Sequence, residues 1–187
     1  GLVDKAIEEY KASISRNNDN TLAFNNLGTV YDKQGLYDLA IEAYTNALTN
    51  NPYFPLTHNN LGNTYEHIGN SEKAMAEYTA ALKIDNNYAD AHNNLGAMYL
   101  KKGILDKAID ELKKAAQLKP EHLDAHYNLG IAYAMKGLYA DAMDEMNLAI
   151  KYNANDYSAY RDLGLLYFKY KKDAQKSLYY LNESLRL

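Results

Sequence analysis

The chain has 187 residues, with 24 acidic against 20 basic side chains for a formal charge of -4, 19 tyrosines, no tryptophan and no cysteine. Without cysteine there is no disulfide framework and no thiolate site, which suits a reducing compartment. The lysines are scattered or paired, as at Lys101 and Lys102. This argues against a nucleic-acid partner, and no apolar run approaches the roughly 18 residues of a membrane span.

Taken in chain order, the elements repeat. The 10 glycines fall in two series with a step of 34: Gly28, Gly62, Gly96, Gly130 and Gly164, and Gly1, Gly35, Gly69, Gly103 and Gly137. Leu27, Leu61, Leu95, Leu129 and Leu163 precede the first series, and Tyr31, Tyr65, Tyr99, Tyr133 and Tyr167 follow it by three residues. The periodicity predicts a second-type helix over 4–16, then alternating first and second helices over 22–34 and 38–50, 56–68 and 72–84, 90–102 and 106–118, 124–136 and 140–152, and 157–169 and 173–186. The second glycine series marks the ends of first helices, where a left-handed cap costs least for a residue without a Cβ. Asn17, Asn18 and Asp19, Asn50 to Pro52, and Asp85 to Asn87 supply the turns between units. A glycine of the first series is expected to face the alanine twelve residues later, Ala40, Ala74, Ala108 or Ala142, letting two helix axes approach, with large residues such as Tyr31 and Tyr44 beside the contact. The last unit departs from the pattern: Lys171 stands at the turn-glycine position and Ser177 follows Tyr167 by ten residues where other units place Ala at nine, so a longer, irregular hairpin is expected.

The pattern L-G-x-x-Y, then Ala, then a large apolar residue (Tyr10, Tyr44, Tyr78, Leu112, Met146), then Ala47, Ala81, Ala115 and Ala149, resembles the tetratricopeptide repeat, with Pro52 and Pro120 at the family's proline position. The resemblance implies an all-α fold, an α–α superhelix: a right-handed solenoid of antiparallel helix pairs. It divides the chain into a half repeat over 1–20, repeats over 21–54, 55–88, 89–122 and 123–156, and an atypical last repeat over 157–187. Gly1 lies in register with the turn glycines, so the sequence is expected to start in mid-repeat.

The resemblance also implies that first helices line a concave groove that binds a protein or peptide. Its expected contacts are the amides Asn25, Asn26, Asn59, Asn60, Asn63, Asn93, Asn94 and Asn128, which offer donors and acceptors without charge, with Tyr127 and Arg161 at the equivalent positions. Further along the same face Leu100, Ile131, Met135, Leu165 and Phe168 are expected to form an apolar strip for a partner's side chains. An alternative use for that strip is to pack under a further C-terminal helix, since Leu178, Tyr179, Leu181 and Leu185 do not form a polar cap. A C-terminal-carboxylate clamp of the kind found in chaperone-binding arrays is not expected, because Asn25, Asn59 and Asn93 stand where its first lysine belongs.

His58, His92 and His126 recur with the same step of 34. Equivalent residues on stacked helix pairs lie roughly 10 Å apart or more, given interaxial distances of about 8–10 Å, so the three cannot share an ion and are read as packing residues. No phosphate loop, no G-x-S-x-G elbow, no cysteine nucleophile and no metal-ligand motif is present. The expectation is a cytoplasmic, non-enzymatic interaction scaffold without cofactor or metal, its partner a protein or peptide. Two alternatives stay open: the substrate-recruiting arm of a larger enzyme such as a glycosyltransferase, and a homo-oligomeric scaffold self-associating through its C-terminal end.

Overall fold

The structure, a computed structural model, describes residues 1–187 and contains helices and turns only. In chain order the helices are α1 (Leu2–Arg16), α2 (Thr21–Lys33), α3 (Tyr37–Asn50), α4 (Pro55–His67), α5 (Ser71–Ile84), α6 (Ala89–Lys101), α7 (Leu105–Leu118), α8 (Leu123–Met135), α9 (Tyr139–Tyr152), α10 (Tyr157–Leu166), a π-helical turn (Tyr167–Lys171) and α11 (Ala174–Arg186). The chain divides into two compact units, Gly1–Ala91 and His92–Leu187.

Each first helix stops where the sequence demands it. Gly35, Gly69, Gly103 and Gly137 have φ of +73°, +76°, +71° and +82°, in the left-handed region that a side chain resists. Around Gly35 its N–H donates to the Asp32 carbonyl and the Leu36 N–H to the Tyr31 carbonyl, both at 2.9 Å. This paired bond satisfies the last carbonyls of α2 and turns the chain back into α3. Starts are fixed as locally: Asn20 accepts from the Ala23 N–H at 3.0 Å, Asn70 from Lys73 at 3.2 Å, and Pro55 opens α4.

The other glycine series sets how closely helices pair. A Cβ built on Gly28 would lie 2.7 Å from the Tyr44 ring, on Gly62 2.6 Å from Tyr78, on Gly96 2.7 Å from Leu112 and on Gly164 2.9 Å from Leu181. The surface each glycine meets is therefore the large side chain of the second helix rather than, as expected, the alanine. Only its backbone joins the contact, as where the Ala142 carbonyl lies 3.2 Å from a Cβ on Gly130. The alanines themselves, Ala40, Ala74, Ala108 and Ala142, are wholly buried, because any larger group there would push the pair apart.

In the first unit Leu27, Tyr31, Ala40, Ala43, Tyr44 and Leu61 form the core, with Tyr10 and Ile14 of α1 leaning on it. In the second unit the core is built from Ile109, Leu112, Leu129, Tyr133, Met146 and Leu163. The last hairpin is irregular in a specific way. The extra residue between Tyr167 and Ser177 is taken up by the π-helical turn, and Lys172, not Lys171, adopts the left-handed conformation at φ 53°, ψ 29°. Asp173 then caps α11 by accepting from the Lys176 N–H at 3.0 Å.

Candidate functional site

The asparagines resolve into two roles. Asn25, Asn59 and Asn93, expected on an exposed groove, are buried at 2, 5 and 7 % of their accessible area. Asn25 Oδ1 accepts from the Thr57 hydroxyl at 3.0 Å and from the Asn60 amide at 3.2 Å, so it ties α2 to α4. Asn93 Oδ1 accepts from Asn128 at 3.1 Å and ties α6 to α8 in the same way. An unpaired amide at these depths would be costly, which is why the ladder holds the first helices to one another before it can hold anything else. Asn60 and Asn128 stay half-buried, and their side-chain carbonyl oxygens have no protein partner. Asn26 and Asn94 are half-buried too, accepting from the neighbouring Asn25 and Asn93 amides at 3.3 Å.

Around this ladder the first unit presents polar side chains already engaged within the fold. Thr64 donates to Asp32 Oδ1 at 2.7 Å, with His67 Nδ1 3.2 Å from the same oxygen. Tyr44 donates to Thr29, and the Tyr78 hydroxyl lies 2.8 Å from Asn63 Oδ1 and 3.1 Å from Glu66 Oε2. Burial pushes the Tyr44 phenol up to about 12, and burial together with the Glu66 carboxylate pushes Tyr78 up further. Both hydroxyls therefore remain protonated donors, pinning the face from behind.

In the second unit the corresponding face is apolar. Met135, Leu165 and Phe168 are exposed at 57, 50 and 66 %, while Leu100 and Ile131 are partly buried against the core. The helices that carry this strip are joined by Asp162, which accepts from the Tyr127 hydroxyl at 2.8 Å across α8 and α10 and from Arg161 Nε at 2.7 Å. Burial, then the bond to Asp162, raises the Tyr127 phenol to about 12. Of the two residues expected at the groove here, Tyr127 gives its hydroxyl and Arg161 its Nε–H to Asp162. On the opposite side of the last hairpin, Leu178, Tyr179 and Leu185 of α11 are exposed at 60, 58 and 86 %.

The histidines play a part that the step of 34 alone does not disclose. Each sits opposite a glutamate of the second helix in its own hairpin: His58 Nδ1 2.7 Å from Glu77, His92 2.5 Å from Glu111, and His126 2.6 Å from Glu145. The far ring nitrogen of His58 meets the Pro52 carbonyl at 3.0 Å and that of His126 the Pro120 carbonyl at 2.8 Å. Carboxylate and carbonyl both only accept, so both ring nitrogens must donate and the imidazolium is favoured. Bonding to Glu77 and Glu145 raises the two histidines above their ordinary value, and bonding to His92 lowers Glu111. The signal was present in the sequence as a His–Glu spacing of nineteen residues, absent where Phe24 replaces His and Ala43 replaces Glu.

No helix is long and apolar enough to cross a membrane. No curated protein matches the sequence. Among solved structures the chain is similar to MamA, at 28 % identity over 86 % of this chain and 93 % of that one with a TM-score of 0.75. It shares its fold with YrrB, described as a TPR protein with an unusual peptide-binding site (19 % identity, 96 % of this chain, 92 % of that one, TM-score 0.76), and with Pseudomonas aeruginosa PilF (22 %, 100 %, 78 %, 0.81). These place it in the all-α, α–α superhelix class. Models of the tetratricopeptide repeat match residues 21–54, 43–76, 67–103 and 98–137, together more than half of the sequence. With the glycine caps, the packing of first-helix glycines under large second-helix side chains and the hairpins already seen in each unit, the chain belongs to the tetratricopeptide repeat family.

Proposed function

We propose that the protein is a non-catalytic interaction scaffold that holds a segment of another polypeptide against the faces of its first helices. The observation that carries this reading is the exposure of Met135, Leu165 and Phe168 on α8, α10 and the π-helical turn, three large apolar side chains presented by helices locked together through Asp162. Solvent-facing apolar groups on a rigid support are what a partner's side chains can bury. In each unit a spare side-chain carbonyl oxygen, Asn60 in the first and Asn128 in the second, supplies an acceptor for a main-chain N–H group of a bound segment. The likeness to YrrB, a TPR protein described as having an unusual peptide-binding site, supports the same reading. Repeat boundaries at 20/21, 54/55, 88/89, 122/123 and 156/157, as the motif sets them, make each first helix one segment of the docking face of its own unit.

The test is a photo-crosslinking residue placed at Leu165 or, as a control, at Gln117, which is exposed on the second helix α7. Adducts with another polypeptide should form from position 165 and not from 117. A second reading, association of two copies through α11, is favoured by the exposure of Leu178, Tyr179 and Leu185. It requires a molar mass that rises with concentration and stays monomeric in Leu178→Glu.

A further inference from the structure

The hairpin of α2 and α3 differs from its neighbours on the side away from the first-helix face. In the next hairpin the His58–Glu77 pair bridges the helices, and Lys73 lies 5.1 Å from the centre of the Tyr65 ring. In the second unit, His92–Glu111 and Lys107, 5.5 Å from the Tyr99 ring, repeat that charged roof. One step of 34 earlier, the same four positions hold Phe24, Ala43, Leu39 and Tyr31. Every charge has been replaced by an apolar group, and the glutamate by the smallest side chain that packs. The result is a cleft of about 260 Å³ between α1 and α3, floored by α2. Lys11 stands on its α1 wall and Glu42 on its α3 wall, both exposed and neither bonded to another side chain. Phe24 and Tyr31 share a face of α2, whereas Asn26 and Thr29 project from the opposite one, so the cleft is separate from the docking face proposed above.

We propose that this cleft is a second docking site, which takes one large apolar side chain from a partner polypeptide whose flanking residues carry an acidic group toward Lys11 and a basic group toward Glu42. Its volume lies below the roughly 300–1,000 Å³ of small-molecule sites, which selects a single side chain over a whole ligand. The opposed, unpaired charges on its two walls select a polypeptide with both signs over an uncharged apolar surface. In the neighbouring hairpins the same positions carry the His–Glu pair and a lysine over the tyrosine ring instead.

Methyl NMR of the intact chain, observing Leu39 and Ala43, tests this with four synthetic peptides: acetyl-Asp-Phe-Lys-amide, acetyl-Lys-Phe-Asp-amide, and both with Ala in place of Phe. A Phe peptide should shift the Leu39 and Ala43 signals saturably and bind at least about tenfold more tightly than its Ala counterpart. Binding should vanish in Phe24→His/Leu39→Lys/Ala43→Glu, which rebuilds the neighbouring roof, and in Ala43→Leu, which fills the space if the triple variant does not fold. Lys11→Ala should weaken it severalfold, and Phe168→Glu should leave it unchanged, which separates this site from the first-helix face. The absence of saturable shifts, equal binding by the Ala peptides, or equal binding by uncharged N-acetylphenylalanine amide would each overturn the proposal.

Discussion

Glu145 on α9 holds His126 on α8 at 2.6 Å, and the other ring nitrogen of His126 meets the Pro120 carbonyl at 2.8 Å, so one imidazolium joins both helices of a hairpin to the loop that precedes it. His58 repeats the arrangement with Glu77 and Pro52. Because the folded-state pKa of each histidine lies above its ordinary 6.5, the stabilisation is complete below pH 6.5 and is lost as pH rises through the folded value. Glu111 is shifted the other way, below 4.5, so its contribution is present above 4.5 and is lost as pH falls through its folded value. Urea midpoints should therefore be highest between these limits and decline toward pH 9, below the range where tyrosine ionises. Glu145→Gln should flatten the alkaline decline and cost about 1–3 kcal/mol at pH 6.

Gly62 lies under the Tyr78 ring with no room for a methyl group, since an added Cβ would be 2.6 Å from the ring. Gly62→Ala should destabilise by about 1–3 kcal/mol through overpacking. Tyr78→Ala, which opens a cavity, should cost about 3–5 kcal/mol. In the double variant the two losses should fall short of their sum, because the ring that clashes with the new methyl group is gone. Additive losses in thermal melts would show that the glycine is needed for another reason.

Asn25 separates a structural from a ligand-gripping asparagine. Its side-chain oxygen is an acceptor for the buried Thr57 hydroxyl, so Asn25→Ala should cost about 1–3 kcal/mol in denaturant unfolding. Asn60→Ala keeps the Asn25–Thr57 bond and should cost less.

Lys172 carries a side chain in a conformation that four glycines occupy elsewhere. Lys172→Gly should relieve the left-handed strain of about 1–2 kcal/mol and give back about 0.5–1 kcal/mol in chain entropy. The net expectation is a small rise in melting temperature. Gly103→Lys, the reverse change in a regular turn, should lower it.

These residues also show how much could be read from the sequence. Helices were legible because one period governs both apolar spacing and caps: α2 to α9 fall within one residue of the ranges expected from the step of 34. The irregular last hairpin was legible as one residue too many, but its form, a π-helical turn with Lys172 left-handed, depends on packing that the spacing does not encode. The side chains of the site were harder. Asn25, Asn59 and Asn93 lie one residue from the half-exposed Asn26, Asn60 and Asn94, a step of about 100° around a helix. That step turns an amide from the open face into the seam with a neighbouring first helix, and only the neighbour's position decides which it is. The His–Glu pairs needed a correlation between two helices, visible in the substitution of both partners by Phe24 and Ala43 but silent in either helix alone. Of the expected apolar strip, Met135, Leu165 and Phe168 are exposed whereas Leu100 and Ile131 pack partly against the core, a division that residue type alone does not reveal.

The most direct measurement of the scaffold's docking face is quantitative capture of polypeptides from a native extract by the wild-type chain beside Phe168→Glu, with helicity of both followed by circular dichroism. A discrete set of proteins retained by the wild type and lost from an equally helical Phe168→Glu is the predicted result. Identical sets on both, at equal helicity, would contradict the assignment of the first-helix face as the site of binding.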